Sequence, residues 1–216
     1  LSLQLTLTVT VIDTNNCSAI VNAAVDLWQC NSVGVYSHFE TSVVSTTTYL
    51  RGIQLTNTNG QVTFYTNYPG YYSGRATHIH VKVRFGGEET SSGSIYYWGG
   101  QTSHTGQIFF NDSYTTLVQA VTPYSTNQAS RTLNSVDRAY TQQDGVDSLL
   151  TLAYVDEATG ITGGLIGTIT VKVDSTLDLS SNNSNLSAPK IRAITSSTSS
   201  SNSRDSCDDT SYLLSY

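Results

Sequence analysis

The feature that most constrains this chain is the alternation of its first eleven residues. Apolar Leu and Val side chains occupy every odd position from Leu1 to Val11, while Ser2, Gln4 and three threonines fill the even positions up to Thr10. A period of two places alternate side chains on opposite faces of a strand. This segment is therefore predicted to be a β-strand with one buried and one polar face.

Further strands follow with the same or a more apolar pattern. They are predicted at residues 21–28, 49–56, 61–66, 78–85, 107–110, 149–155 and 165–173. The turn signal Asn57-Thr-Asn-Gly60 separates two of them, as in a β-hairpin. Short strands at fairly regular spacing are typical of an all-β fold, and we predict an antiparallel β-sandwich of the immunoglobulin or transthyretin type.

The chain divides into a domain and a tail. Residues 1–174 carry the predicted strands, with a less regular connection at residues 112–148 that holds Pro123. Residues 175–216 are rich in Ser, Asn and Thr, and we expect them to be flexible, glycosylated or involved in assembly.

Composition excludes two classes of partner. A net charge of −6 with only 10 Lys and Arg residues argues against binding to nucleic acid, which needs a basic surface. No run of 18 apolar residues is present, which argues against a membrane-spanning helix. The chain opens on Leu1 and contains no Met, so we interpret it as a processed, secreted chain. Four glycosylation triplets agree with secretion and begin at Asn16, Asn111, Asn182 and Asn185.

Cysteine usage leaves two interpretations. Cys17 and Cys30 flank a predicted strand, and a disulfide between them would stabilise the fold by about 3 kcal/mol. The alternative is three reduced, buried thiols, Cys207 in the tail being the third.

The pair His78 and His80 is the first candidate for chemistry. Positions i and i+2 of a strand share one face, about 6.6 Å apart, so two imidazoles there can bind one metal ion while Ile79 points into the core. Two solvated histidines on an exposed face are the competing interpretation. Fourteen tyrosines accompany the pair, and those just before it are Tyr65, Tyr68, Tyr71 and Tyr72. A phenolate is a hard anionic donor suited to a ferric ion, although tyrosine is also common in strands.

Three sequence blocks carry a resemblance to a known family. They are Trp28-Gln-Cys-Asn-Ser-Val-Gly-Val-Tyr36, Leu50-Arg-Gly-Ile-Gln54 and Tyr68-Pro-Gly-Tyr-Tyr-Ser-Gly-Arg-Ala-Thr-His-Ile-His80. Further matching blocks are Gly106-Gln-Ile-Phe-Phe110 and Val121-Thr-Pro-Tyr-Ser125. Over roughly residues 3–174 the chain resembles the intradiol ring-cleavage dioxygenases, above all their secreted fungal branch.

The resemblance implies a site with one Fe(III) ion. Its ligands would be Tyr36, Tyr72, His78 and His80, with Tyr68 as the alternative to Tyr72. Catalytic roles fall on Tyr72 as general base, on Arg75 near charge that develops on the ring, and on Gln107 opposite it.

The implied activity is cleavage of a catechol-type ring by O2 between the two hydroxylated carbons. We expect specificity to depend on residues 39–48 and 86–105. Two departures from the family pattern are the absence of a segment before the first strand and the Ser-rich extension after residue 175.

Two other functions compete with this one. A non-catalytic extracellular subunit could form oligomers or filaments through the edge of its first strand and its glycosylated surface. A carbohydrate-binding sandwich could use the aromatic side chains of Tyr96, Tyr97 and Trp98.

Overall fold

Ten strands and two short helices make up the fold in a computed structural model of the chain, which describes residues 2–39, 46–86, 88–89, 97–98, 101–142 and 144–177. The strands are β1 (Gln4–Asp13), β2 (Ala24–Trp28), β3 (Arg51–Leu55), β4 (Gln61–Asn67), β5 (His78–Phe85), β6 (Glu88–Glu89), β7 (Tyr97–Trp98), β8 (Gln101–Phe109), β9 (Thr151–Tyr154) and β10 (Leu165–Val173). The helices are α1 (Asp112–Gln119) and α2 (Arg138–Gln142), and 3₁₀ turns lie at Tyr124–Thr126 and Gly160–Gly163.

The strands form two four-stranded sheets and one short pair. The first sheet has the order β4-β1-β10-β9, the second has the order β3-β2-β5-β8, and β6 pairs with β7. This arrangement confirms that the described part of the chain is mostly β, with two main sheets. The finer assignment to an immunoglobulin or transthyretin type stays a prediction.

The core lies between the inner faces of the two four-stranded sheets. Alternate residues of β1 are buried as the sequence predicts, and so are Ile79, Val81 and Val83 of β5, each with 0% of its surface exposed. Their burial fixes which face of β5 points inward. The intervening residues of β5 therefore point away from the core.

One prediction about pairing is wrong. Strand β1 pairs in parallel with β10 over Leu5–Asp13 and Leu165–Val173, whereas the other strand pairs of the described ranges are antiparallel. Strand β1 lies between β4 and β10, so its backbone groups are already paired on both sides. It is not the free edge that the filament hypothesis requires, because its alternating pattern shows only that one face is buried and says nothing of its neighbours.

Two other predictions also need correction. Strand β8 begins at Gln101 and not at residue 107, because its first half is polar and lacks the apolar run that marks a buried strand. Cys30 is a free, buried thiol, so the predicted disulfide between Cys17 and Cys30 does not form. Burial raises the pKa of the Cys30 thiol to about 12.

The connection at residues 112–148 contains α1, α2 and one 3₁₀ turn. Asn111 caps α1 by accepting a hydrogen bond from the Ser113 amide. No helix among the described parts of the chain is long and apolar enough to cross a membrane. Asn16 and Asn111 are exposed, whereas Asn182, Asn185, Cys207 and the rest of the tail after residue 177 lie outside the described residues.

Candidate metal centre

One row of paired residues crosses the second sheet on its outer face. Trp28 of β2 pairs with His80 of β5, and His80 pairs in turn with Gln107 of β8. His78 lies two residues before His80 on the same face, since Ile79 between them points into the core. The sheet thus places two imidazoles and one amide at the same end of its outer face.

The two histidines turn the same ring nitrogen toward each other. Their Nε2 atoms are 3.3 Å apart, and His78 Nε2 is also 3.3 Å from the Tyr72 hydroxyl. His78 Nδ1 lies 2.7 Å from the Ala76 carbonyl oxygen. A carbonyl oxygen can only accept, so His78 Nδ1 donates its proton. His78 Nε2 therefore keeps a lone pair, which faces His80 and Tyr72.

Burial keeps both imidazoles neutral. It lowers the pKa of His78 to about 4, and Arg75 adds to this effect. It also lowers the pKa of His80 to about 3, with further contributions from His78 and Arg75. Trp28 stacks on the His80 ring at a centroid distance of 4.7 Å and an interplanar angle of 1°. The interpretation of two solvated histidines is wrong, because His78 is 2% exposed.

Two loops add tyrosines to the histidine pair. The turn that follows β2 packs its backbone against the loop before β5, and a Cβ atom on Gly34 would clash with the Tyr71 carbonyl group. Gly34 has a φ of +85°, which an L side chain rarely adopts. The Gly70 amide donates to the Asn31 carbonyl oxygen at 3.0 Å, which ties the loops together a second time. This close approach brings Tyr36 and Tyr72 to one place.

Tyr36 and Tyr72 therefore meet His78 and His80, and these four side chains form the cluster. The two tyrosine rings lie 5.7 Å apart between centroids, and the Tyr36 ring lies 6.0 Å from that of His80. Tyr68, the alternative to Tyr72, is buried elsewhere and its hydroxyl lies 2.7 Å from Thr115 Oγ1. Of the two candidates for the second tyrosine, only Tyr72 contacts His78.

The Tyr36 hydroxyl is suited to be a ligand of a cation. It is buried and has no hydrogen-bond partner among the described residues, which is costly for a polar atom. Burial, followed by the neighbouring Tyr72, raises the pKa of Tyr36 well above its usual value. A bound cation would reverse this effect and hold the oxygen as a phenolate. Two phenol oxygens and two imidazole nitrogens make a donor set suited to a trivalent metal ion.

Tyrosine is essential to this donor set. Within the described ranges, no group of three or more His, Cys, Asp and Glu side chains could hold a metal ion. A candidate centre at this position therefore needs its phenol groups as well as its imidazoles.

Arg75 borders the cluster and is held on three sides. Its Nη2 donates to Gln107 Oε1, its Nη1 lies 3.5 Å from the Tyr72 hydroxyl, and its Nε donates to Asp137 Oδ2 at 3.0 Å. The sequence places Arg75 and Gln107 near the site, but it does not single out Asp137. The only local signal of Asp137 is its position just before α2, where an aspartate serves as a helix cap.

A separate cleft of about 410 Å³ lies at the open side of the sandwich, between β3 and β4. It shares Trp28 with the cluster but is lined by none of the four candidate ligands. The candidate centre is thus identified by converging donor atoms and not by the volume of this cleft.

Two regions expected to serve specificity or binding are only partly described by the structure. Six of the ten residues of segment 39–48 and half of segment 86–105, both expected to set specificity, fall outside the described residues. So does Tyr96, one of the three aromatic residues of the carbohydrate-binding hypothesis. Both expectations stay predictions.

Known proteins share this fold and part of this sequence. A family model described as Dioxygenase matches residues 2–101, a span that contains Tyr36, Tyr72, Arg75, His78 and His80. No curated protein matches the chain.

Solved structures extend the likeness. An intradiol ring-cleavage dioxygenase from Tetranychus urticae is 28% identical with a TM-score of 0.71, and the match covers 83% of this chain and 85% of that one. A catechol 1,2-dioxygenase from Acinetobacter sp. ADP1, inhibited by bound mercury, is 20% identical with a TM-score of 0.52, and the match covers 88% of this chain and 58% of that one. The second likeness concerns the fold alone. The family match and the Tetranychus structure together confirm the resemblance of this chain to the intradiol ring-cleavage dioxygenases.

Proposed function

We propose that this domain is a non-haem iron dioxygenase that opens a catechol-type ring between its two hydroxylated carbons. The carbon–carbon bond breaks, each of these carbons receives one atom of O2, and the product is a muconate-type dicarboxylic acid. The observation that carries the proposal is the convergence of two phenol groups and two imidazole nitrogens, together with the buried Tyr36 hydroxyl, which has no hydrogen-bond partner among the described residues.

Four residues would hold the iron: Tyr36, Tyr72, His78 and His80. A bound Fe(III) ion would supply Lewis acidity toward both catechol oxygens and make the ring reactive toward O2. The protein prepares the site by fixing the His78 tautomer through Ala76 and by holding the His80 ring flat against Trp28.

Arg75 and Gln107 would orient the aromatic substrate. The guanidinium group of Arg75 is fixed before substrate arrives, so its positive charge needs no rearrangement when negative charge develops on the ring. Tyr72 Oη is the best placed proton acceptor, because it lies in the cluster, 3.3 Å from His78 Nε2 and 3.5 Å from Arg75 Nη1.

Secretion and glycosylation belong to the same proposal. Asn16 and Asn111 are exposed and could carry glycans in an extracellular enzyme that acts on plant-derived phenols. Mass spectrometry of the protein from its natural source would show whether Asn16 and Asn111 carry glycans.

Visible absorption tests the iron site directly. The protein reconstituted with Fe(III) is expected to be coloured through tyrosinate-to-iron charge transfer, and to bleach when iron is chelated or reduced. With catechol it is expected to consume O2 and catechol in equimolar amounts. Tyr72→Phe and His78→Ala should lose the colour.

Tyr68→Phe is the matched control, since it removes a buried phenol oxygen that lies outside the cluster. It should keep both colour and activity. A colourless, iron-free protein that assembles into ordered polymers would contradict the proposal and favour a structural role. Loss of colour in Tyr68→Phe but not in Tyr72→Phe would show that the ligand assignment is wrong.

A further inference from the structure

Asp137 is a densely bonded carboxylate beside the candidate centre. Its side chain is fully buried, and Oδ2 accepts from Arg75 Nε at 3.0 Å and from the Ala76 amide at 2.6 Å. Oδ1 accepts from the amides of Ala139 and Tyr140 at 2.7 and 3.1 Å. One carboxylate thus joins the loop before β5 to the first turn of α2.

These bonds keep the carboxylate ionised. Burial alone would raise the pKa of Asp137, but the Ala76 and Tyr140 amides and the Arg75 guanidinium outweigh it and lower the pKa. A buried carboxylate with four hydrogen bonds and an opposite charge is a rigid anchor.

The Asp137 carboxylate fixes the orientation of the Arg75 guanidinium group. Nε donates to Asp137 and Nη2 donates to Gln107, and these two hydrogen bonds fix the plane of the guanidinium group. The remaining nitrogen, Nη1, then points toward Tyr72. The same short helix supports the cluster a second time, since Tyr140 packs against Phe109 at 5.2 Å and Phe109 lies 5.9 Å from His78.

We propose that Asp137 is a positioning residue for the ring-cleavage reaction: it holds the Arg75 guanidinium in the orientation that stabilises charge on the substrate. This inference rests on the proposed function. The Asp137 side chain is fully buried and bonds to Arg75 Nε, so its effect on the reaction would be exerted through the guanidinium group.

Asp137→Asn tests this role, since asparagine keeps the helix cap but puts no negative charge beside Arg75. The expected result is a fall in kcat of about 10- to 100-fold, with the KM for catechol and the visible absorption nearly unchanged. In the metal-free protein, the Arg75 Nε proton should exchange faster with solvent.

Asp112→Asn is the matched control. Asp112 also pairs with an arginine, Arg131, at 2.8 Å and accepts from the Asn134 amide at 3.1 Å, but these residues lie outside the cluster. Its kcat should stay within about twofold of the wild type.

A double-mutant cycle separates positioning from simple stabilisation. An Arg75→Lys variant has no planar guanidinium group to be oriented. In that background, Asp137→Asn should lower kcat by less than about a further twofold. Equal losses in both backgrounds would overturn the inference.

Failure of the inference can be distinguished from failure of the proposed function. If the wild type cleaves catechol and Asp137→Asn does so equally well, only the role of Asp137 is overturned. If the iron-loaded wild type does not cleave catechol, both are overturned.

Should Asp137→Asn not fold, Asp137→Ser retains a capping oxygen and is expected to give the same result. Should neither variant fold, a rapidly exchanging Arg75 Nε proton in the wild type would overturn the inference, and a protected one would support it.

Discussion

The two faces of β5 differ in what they contribute. Ile79, Val81 and Val83 point inward and are fully buried among apolar side chains, whereas His78 and His80 point outward into a cluster of polar groups. Both faces are shielded from solvent near the start of the strand, but by different means. The other sheet covers the inner face, and loops with tyrosines cover the outer one.

A third buried histidine sharpens this difference. His104 of β8 lies opposite Val83, so it shares the inner face, and it is 0% exposed. Neither of its ring nitrogens has a hydrogen-bond partner among the described residues, whereas His78 is bonded through both. Burial of a histidine therefore does not indicate a functional site unless its nitrogens meet other donor atoms.

The largest expected effect on folding is on the inner face. Ile79→Ala should lower the free energy of unfolding by about 4 kcal/mol, because it leaves a cavity in a closely packed core. Denaturant titration measures the change. Ile166→Ala on β10 is the control, since Ile166 is 41% exposed and should cost about 1 kcal/mol or less. Equal costs would show that the inner face of β5 is not the core.

His104 is expected to make the fold sensitive to acid. Burial lowers its pKa from 6.5 to about 4, so the unfolded chain takes up a proton first as the pH falls. Stability should therefore decline between about pH 6.5 and pH 4, by about 2–3 kcal/mol at pH 4.5 relative to pH 7.

His104→Leu isolates this contribution, because other titrating groups are the same in both proteins. The difference in unfolding free energy between the wild type and the variant, measured at pH 7 and pH 4.5, should shift in favour of the variant in acid. An unchanged difference would contradict a neutral, buried His104.

The smallest effect on folding is expected on the outer face. Tyr36→Phe removes a hydroxyl that has no hydrogen-bond partner in the described part of the chain, so the unfolding free energy of the metal-free protein should change by less than about 1 kcal/mol. Thermal unfolding measures this. The same variant should lose its iron-dependent colour. A loss of stability as large as that of Tyr68→Phe, which breaks the contact with Thr115, would show that Tyr36 has a structural role.

Much of the sheet structure follows from local pattern. Residues 78–85 and 165–173 are predicted as strands and form β5 and β10 with these bounds, because their alternation with β-branched residues is strong. The polar first half of β8 gives no such signal. Its strand conformation is imposed by its neighbour β5, with which it pairs over its whole length except at one irregularity.

The sequence by itself determines which kinds of donor group are available and the strand face on which the two histidines lie. A His-x-His pair on a strand must place both imidazoles on one face, and Tyr and Arg residues nearby supply the donors and the charge. Only the tertiary structure decides which of the 14 tyrosines reach that pair, and that Asp137 holds Arg75 from 62 residues away. The physical reason is that these contacts depend on backbone packing between loops, at Gly34 and Gly70, and on a helix from a distant segment. Local periodicity carries no information about such contacts, because it records only the burial of each element against the core.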